Sequence, residues 1–187
     1  MIGKNVMEEK ELAEAWKIIT NQVIRDFPSL SELVIVGIRS RGNILASRMV
    51  KGIKKETGIE IPLGILDITL YRDDFTSVGP DPIVRETEID FDITGKNVIL
   101  VDDVLFTGRT IRAAMDALID FGRPSSIRLA VLIDRGEREL PIQPDYVSKK
   151  MTVNAGEIVE VKLKEIDGKE GVIAIKQKLD KEEIAKP

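Results

Sequence analysis

The stretch VILVDDVLFTGRT, from Val98 to Thr110, decides how the rest of the chain is read. Four consecutive apolar residues, Val98 to Val101, make a short strand covered on both faces, the pattern of a parallel sheet. Two carboxylates, Asp102 and Asp103, stand at its C-terminal end. After a short loop, Thr107-Gly108-Arg109-Thr110 opens a helix. Ile111, Ala114, Met115, Leu118 and Ile119 give that helix one apolar face, and Gly122 and Pro124 stop it. In open α/β sheets, ligands bind beyond the carboxyl ends of the strands. A Gly/Thr turn at a helix N-terminus offers backbone N–H groups, hydroxyls and the positive end of the helix dipole, which together suit a phosphate. Paired carboxylates nearby can accept hydrogen bonds from vicinal sugar hydroxyls. The string is neither a GxxxxGK[ST] loop nor a GxGxxG fingerprint. Strand punctuation by Asp102 and Asp103, or helix capping by Thr107 or Thr110, would explain each half singly but not the whole.

Working outward, the apolar runs Leu33 to Gly37 (LVIVG) and Ser126 to Ile133 (SIRLAVLI) read as two further buried strands. Leu12, Trp16, Ile19 and Val23 make an apolar stripe on a helix over Glu8 to Asp26, ended by Pro28. Gly42 opens a second helix, with Leu45, Met49 and Ile53 on one side, which closes near Gly58. Ile61 to Leu70 reads as a strand, and the polar stretch Tyr71 to Glu88 as a long loop. Alternation of strand and helix gives the class as α/β, a mostly parallel central sheet flanked by helices. Near the C-terminus, Ile158 to Ile166 and Val172 to Lys176 read as a β-hairpin turned at Asp167-Gly168. Residues 1–150 are expected to form the core, and 151–187 a hairpin and loose tail packed on the same domain.

The chain has 187 residues and a formal net charge of −4. It contains no cysteine and no histidine, which excludes disulfides, thiolate nucleophiles, Cys/His zinc sites and any Ser-His-Asp triad. Chemistry must therefore come from carboxylates, basic side chains, hydroxyls, backbone amides or a bound metal. No apolar run approaches the ~20 residues of a membrane span, and the first residues lack a signal-peptide core, so a cytoplasmic location is expected. Ile38-Arg39-Ser40-Arg41-Gly42 follows a buried strand and opens a helix. Positive charge there opposes the helix dipole, a misfit that favours an anionic ligand held by guanidinium forks.

The central stretch resembles the phosphoribosyl-pyrophosphate (PRPP) motif of type I phosphoribosyltransferases. With DITLYRDD (Asp67 to Asp74) and MDALIDFGRPSSIRLAVLIDRGERELPI (Met115 to Ile142), it resembles the PyrR family of bifunctional pyrimidine-operon attenuation regulators and uracil phosphoribosyltransferases. The likeness is close over Leu33 to Val147 and weaker over the first helix and the C-terminal hairpin. It implies a type I phosphoribosyltransferase fold with a small base-binding hood.

The resemblance also implies roles. Asp102 and Asp103 would bind the ribose hydroxyls, and Thr107, Gly108, Arg109 and Thr110 the 5′-phosphate. Arg39, Ser40, Arg41 and Gly42 would form the pyrophosphate loop, with Arg39 and Arg41 stabilising the leaving group. Tyr71, Arg72 and Asp73 would begin a mobile loop closing over the site. Asp134, Arg135, Tyr146 and Val147 would surround the base, with Tyr146 either stacked on it or packed in the core. Mg2+ would be held through substrate phosphates and water, with no dedicated protein ligand.

Phe106 stands where purine-specific relatives commonly carry an aspartate facing the base. That tilts the base towards uracil. The implied partners are PRPP, uracil or UMP, a pyrimidine-operon mRNA leader and a second copy of the chain. Candidate RNA contacts are Arg123, Arg128, Arg138, Lys149 and Lys150. Glu137, within RGERELP where RGHRELP is expected, places a negative charge in the way of a phosphate. The alternatives are a regulator whose PRPP site is a sensor with little turnover, or a purine phosphoribosyltransferase.

Overall fold

The computed structural model describes residues 3–73 and 86–176. In chain order these form β1 (Lys4–Glu8), α1 (Glu9–Asp26), β2 (Leu33–Ile38), α2 (Gly42–Thr57), β3 (Leu63–Leu66), β4 (Asn97–Leu105), α3 (Arg109–Ile119), β5 (Ser126–Asp134), β6 (Tyr146–Lys150), β7 (Glu157–Lys162), α4 (Lys164–Asp167) and β8 (Gly171–Lys176). The three apolar runs are central strands, and every residue of β2 is buried. The main sheet has the order β3-β2-β4-β5-β6 and is parallel throughout. No helix among the described residues is long and apolar enough to cross a membrane.

The sheet reverses its order between β2 and β4. Helix α2 follows β2 and packs with α1 in a core that includes Leu12, Trp16, Leu45, Met49 and Ile53. Helix α3 follows β4 and packs in a separate cluster with Ile111, Ala114 and Leu118. Two neighbouring strands thus send their helices to opposite faces, which opens a crevice at their carboxyl ends, the place where such sheets take ligands. The indole N–H of Trp16 donates to the Leu45 carbonyl at 2.9 Å, tying α1 to α2.

Several expectations shift at element ends. Strand β4 runs on to Leu105, past the carboxylate pair, because β5 offers partners that far: Asp102 pairs with Val131 and Leu105 with Asp134. The strand expected over Ile61 to Leu70 is only Leu63–Leu66. Asp67 ends it by accepting the Thr69 N–H at 2.8 Å, which starts a turn. An extra strand forms at Tyr146–Lys150. β7 and β8 do pair antiparallel, but the Asp167-Gly168 dipeptide is not a two-residue turn. A single helical turn, α4, intervenes, and Gly168 closes it with φ +67. The N-terminal β1 then pairs with β8, making a three-stranded sheet β1-β8-β7. Five residues with two apolar positions carry too little pattern to show such a strand. The greater part of the expected loop, residues 74–85, and the tail from 177 lie outside the described residues.

Gly42 is where the loop after β2 crosses β4. A Cβ there would lie 2.4 Å from the Val101 carbonyl oxygen and 3.1 Å from the Asp102 Cα. Neither is a group that can swing away. Gly42→Ala is therefore expected to cost at least about 2 kcal/mol in urea unfolding, within the range of overpacking. An unchanged midpoint and slope would show that this crossing is not tight.

Candidate active site

Three loops meet at the carboxyl end of the sheet: Arg39–Gly42 after β2, Phe106–Gly108 after β4, and Arg135 to Asp145 after β5. Register brings them level, since Gly37 pairs with Val101, and Leu105 with Asp134.

Asp102 is buried and Asp103 is half-buried. Successive residues of a strand point to opposite faces, so the two carboxylates flank β4 at the switch between β2 and its neighbour. The Asp103 N–H donates to Asp102 Oδ1 at 2.9 Å, and the Val104 N–H donates to Asp103 Oδ1 at 2.9 Å. Burial, then the Asp103 charge, push the Asp102 carboxyl well above its ordinary range, against the pull of Arg72. Burial likewise raises Asp103, and the Arg41 guanidinium is the largest opposing influence. The pair is short of positive partners and hydrogen-bond donors, which a polyhydroxyl ligand or a hard cation would supply.

After β4 the chain turns at Gly108, whose φ of +94 suits glycine, and Arg109 starts α3. The Arg112 N–H is the first to bond back along the helix, to the Gly108 carbonyl at 2.9 Å. The preceding amides of the first turn thus have no intrahelical acceptor, and Arg109 N–H reaches only Thr107 Oγ1 at 3.3 Å. They line a cavity of about 260 Å³ with Arg72, Asp73 and residues 104–111. The loop is braced from behind, where the Thr107 carbonyl accepts N–H bonds from Glu139 at 3.0 Å and Leu140 at 3.1 Å. The Arg109 side chain turns to the rim, donating to Glu139 at 2.5 Å and Asp73 at 2.9 Å. Tyr71 donates its hydroxyl to Asp120, and its carbonyl accepts from Arg112 at 3.3 Å, so the start of the long loop is pinned to α3.

Ser40 follows a cis Arg39–Ser40 peptide. Arg39 donates to the Glu86 carbonyl at 3.1 Å and pairs with Glu88. Arg41 pairs with Asp167 of α4 at 3.0 Å. The Nε atoms of both arginines are buried without an acceptor. An anion at this loop would therefore meet the terminal nitrogens of the two guanidinium groups rather than Nε.

On the other side of the crevice, Arg135 is buried and lies over the Phe106 ring, 3.7 Å from its centroid. Its guanidinium also pairs with Glu137 at 3.0 Å. Asp134 accepts from the Gly136 N–H at 3.0 Å and from Arg138 at 2.7 Å. Of the two places open to Tyr146 it takes the core, and Arg138 does not take the place expected of it. Tyr146 is not at the site: it pairs with Ala130, well before the end of β5, and is buried in the core. Its hydroxyl donates to Asp26 at 2.9 Å and accepts from Arg128 at 3.2 Å. Val147 pairs with Val131, level with Asp102 but two strands away. Arg138 is not offered to a surface ligand either. Its guanidinium points inward to the carbonyls of Phe106, Gly136 and Ile142 and to Asp134, so it clamps the loop after β5. Lys149 and Lys150 are exposed, with Lys149 Nζ donating to the Val6 carbonyl at 3.0 Å.

The second sheet reaches the site through side chains that the sequence did not single out. Arg48 of α2 is held by Glu165 (2.6 and 3.0 Å) and by Glu170 (2.5 and 3.0 Å). With Arg41–Asp167, these pairs span more than 110 residues of sequence, and no local pattern could have revealed them.

Residues 4–166 match the family model described as phosphoribosyl transferase domain. The Bifunctional protein PyrR of Thermus aquaticus is 51% identical over 167 residues, covering 89% of this chain and 92% of that protein. The protein of the same name from Pelotomaculum thermopropionicum is 49% identical over 170 residues, 91% of this chain and 94% of that protein. The fold is shared with a hypoxanthine-guanine phosphoribosyltransferase of Bacillus anthracis, at TM-score 0.69 and 22% identity, covering 94% of this chain and 99% of that one. A hypoxanthine phosphoribosyltransferase of Staphylococcus aureus gives TM-score 0.69 and 21% identity, covering 94% and 93%.

The raised Asp102 carboxyl has a consequence for stability. The folded chain binds this proton more tightly than the unfolded chain, whose aspartates titrate near 3.9. Its contribution is therefore most favourable at low pH and is lost as pH rises through the folded value. Asp102→Asn keeps the acceptor for the Asp103 N–H and removes the charge. It is expected to raise Tm at pH 7.5 by roughly 2–4 °C in the absence of ligand, with the gain shrinking towards pH 4. A variant less stable than the parent at pH 7.5 would refute this.

Proposed function

This chain belongs to the phosphoribosyltransferase family, in its PyrR branch, and from that premise we propose how it works on PRPP and uracil to give UMP and pyrophosphate, and as a uridine-nucleotide-responsive regulator of pyrimidine-operon mRNA attenuation. One observation carries the reading: a poorly satisfied carboxylate pair, the free first-turn amides of α3 and the Arg39–Arg41 loop come together at the switch between β2 and β4. A ribose carrying a phosphate at one end and a diphosphate at the other answers these needs at once.

Asp102 and Asp103 accept the 2′ and 3′ hydroxyls and fix the ribose. The turn from Thr107 to Thr110 takes the 5′-phosphate with backbone N–H groups and the positive end of α3. Its binding far from the reacting carbon contributes orientation there. Arg39 and Arg41 face the diphosphate, and their charge stabilises it as it leaves. Uracil N1, having lost its proton, forms the bond to C1′ as the bond from C1′ to the diphosphate oxygen breaks. Arg72 and Asp73, which line the cavity beside the Thr107–Thr110 turn, help to exclude water from that centre, with Tyr71 anchored to Asp120 beside them.

Mg2+ would be held through diphosphate oxygens and water rather than by a protein cage, since no cluster of three or more acidic side chains that could hold a metal forms among the described residues. When bound, Mg2+ neutralises charge on the leaving group. Phe106, with Arg135 over its ring, has no proton to give or take, which supports uracil over a purine. Asp134 holds the loop beside them through Gly136 and Arg138. For RNA, Lys149 and Lys150 remain as exposed positive charges, and Glu137 opposes them. A homodimer in the cytoplasm completes the reading.

The test is pyrophosphate release with PRPP and Mg2+, with uracil, orotate, hypoxanthine and guanine offered separately. Turnover with uracil alone is expected. Asp103→Asn is expected to lower kcat/KM at least about tenfold, the loss of one oriented contact that matters at the transition state. Tight PRPP binding with no turnover on any base would favour the sensor instead, and a titration with leader RNA would then decide its role.

A further inference from the structure

Arg41 carries out its part from an unusual position. It is half-buried, its charge is the largest influence opposing the raised carboxyl of Asp103, and its guanidinium is held by a carboxylate from the second sheet. Both oxygens of Asp167 accept from Arg41, at 3.0 and 3.4 Å. Asp167 is itself fixed. Its Oδ2 accepts the Leu163 N–H at 2.9 Å, and Lys162 Nζ stands 3.8 Å from Oδ1. Burial works against its ionisation, but the Leu163 N–H and Arg41 outweigh that and keep its carboxyl below the usual range.

A carboxylate beside an anion site reduces the attraction for the anion, so its presence there needs a reason. Attachment of the second sheet is not that reason. Arg48 already holds α4 through Glu165 and the segment before β8 through Glu170, and Val161, Leu163 and Val172 are buried in the main core. What Asp167 adds is direction. It holds one terminal nitrogen of the Arg41 guanidinium with both of its oxygens and so fixes where the group points. A guanidinium on a long side chain loses much rotamer freedom when it binds, and a carboxylate that has already ordered it removes that cost from ligand binding.

We propose that Asp167 is a positioning residue for the leaving diphosphate, acting through Arg41. The proposal rests on the reading of Arg41 as a diphosphate contact and deepens it, by making the second sheet part of the pyrophosphate site.

The test is a double-mutant cycle of Asp167→Asn and Arg41→Ala, with Asp167→Glu alongside. All Asp167 variants keep an oxygen for the Leu163 N–H and leave the Arg48 clamp intact. Asp167→Asn is expected to raise the KM for PRPP about tenfold, with the KM for uracil within about twofold of the parent. In the Arg41→Ala background the same substitution is expected to add less than about twofold, because it has nothing left to orient. Asp167→Glu is expected to lie between Asn and the parent. Protection against thermal unfolding by pyrophosphate with Mg2+ should follow the same order and needs no turnover.

An undiminished effect of Asp167→Asn in the Arg41→Ala background would overturn the proposal, as would unchanged or tighter PRPP binding in Asp167→Asn alone. Those outcomes leave the phosphoribosyltransferase reading standing. If Arg41→Ala itself left both PRPP KM and pyrophosphate protection unchanged, the assignment of Arg41 to the diphosphate would fall, and the proposal with it.

Discussion

Two carboxylates on adjacent residues, sunk into the end of a parallel strand, repel one another and lose water together. Nothing in the packing of β4 requires them. Asp102 and Asp103 are nevertheless where the sheet changes direction, between a strand whose helix covers one face and a strand whose helix covers the other. That position removes covering side chains from above them and brings three loops within reach. The charge cost at this spot is borne by a largely aliphatic core, as in β2, where every residue is buried and apolar or glycine, and the other buried carboxylate of the sheet, Asp134, is neutralised by Arg138.

The surroundings divide the compensation. Backbone amides of Asp103 and Val104 take one acceptor each, and Arg41 and Arg72 lend positive charge from the side. None of this satisfies the pair fully, and the same holds for the first-turn amides of α3, which have no intrahelical acceptor. Incomplete satisfaction on both sides of one crevice is what a binding site for a phosphorylated sugar looks like before the sugar arrives. Around it the ion pairs differ in kind. Arg48 with Glu165 and Glu170 is a closed clamp whose acceptors are all used, and it holds the second sheet to α2. Arg109 with Asp73 and Glu139 is an open rim pair, nearly half exposed, where solvent leaves little net stabilisation. The first kind suits a fixed frame and the second suits a group that changes partners.

The resemblance carried over from sequence is accurate for the frame and uneven for the side chains. The alternation of apolar strands and amphipathic helices gave the α/β class and the parallel sheet directly, because burial on both faces leaves a continuous apolar run. The turn before α3 was legible for a similar reason: glycine and threonine ahead of an apolar-periodic segment mark a helix start, and Gly108 stands there with φ +94. Tyr146 was not legible. An aromatic residue near the end of a sheet fits a base-stacking role and a core role equally, and only its register with Ala130 separates them. Arg138 shows the same limit, since its three carbonyl partners come from both sides of it in the sequence and only folding assembles them.

What the sequence determined alone is therefore local: the three central strands, the three long helices, and the string that holds two carboxylates and a Gly/Thr helix start within a few residues of each other. Periodicity and turn chemistry act over a few residues, so a few residues suffice to read them. Tertiary structure decided the rest. It brought β1 from one end of the chain against β8 from the other, set Asp167 on Arg41, and closed Glu165 and Glu170 around Arg48. Those contacts depend on how the two sheets dock, and docking is fixed by shape and burial over the whole molecule, which no window of sequence contains.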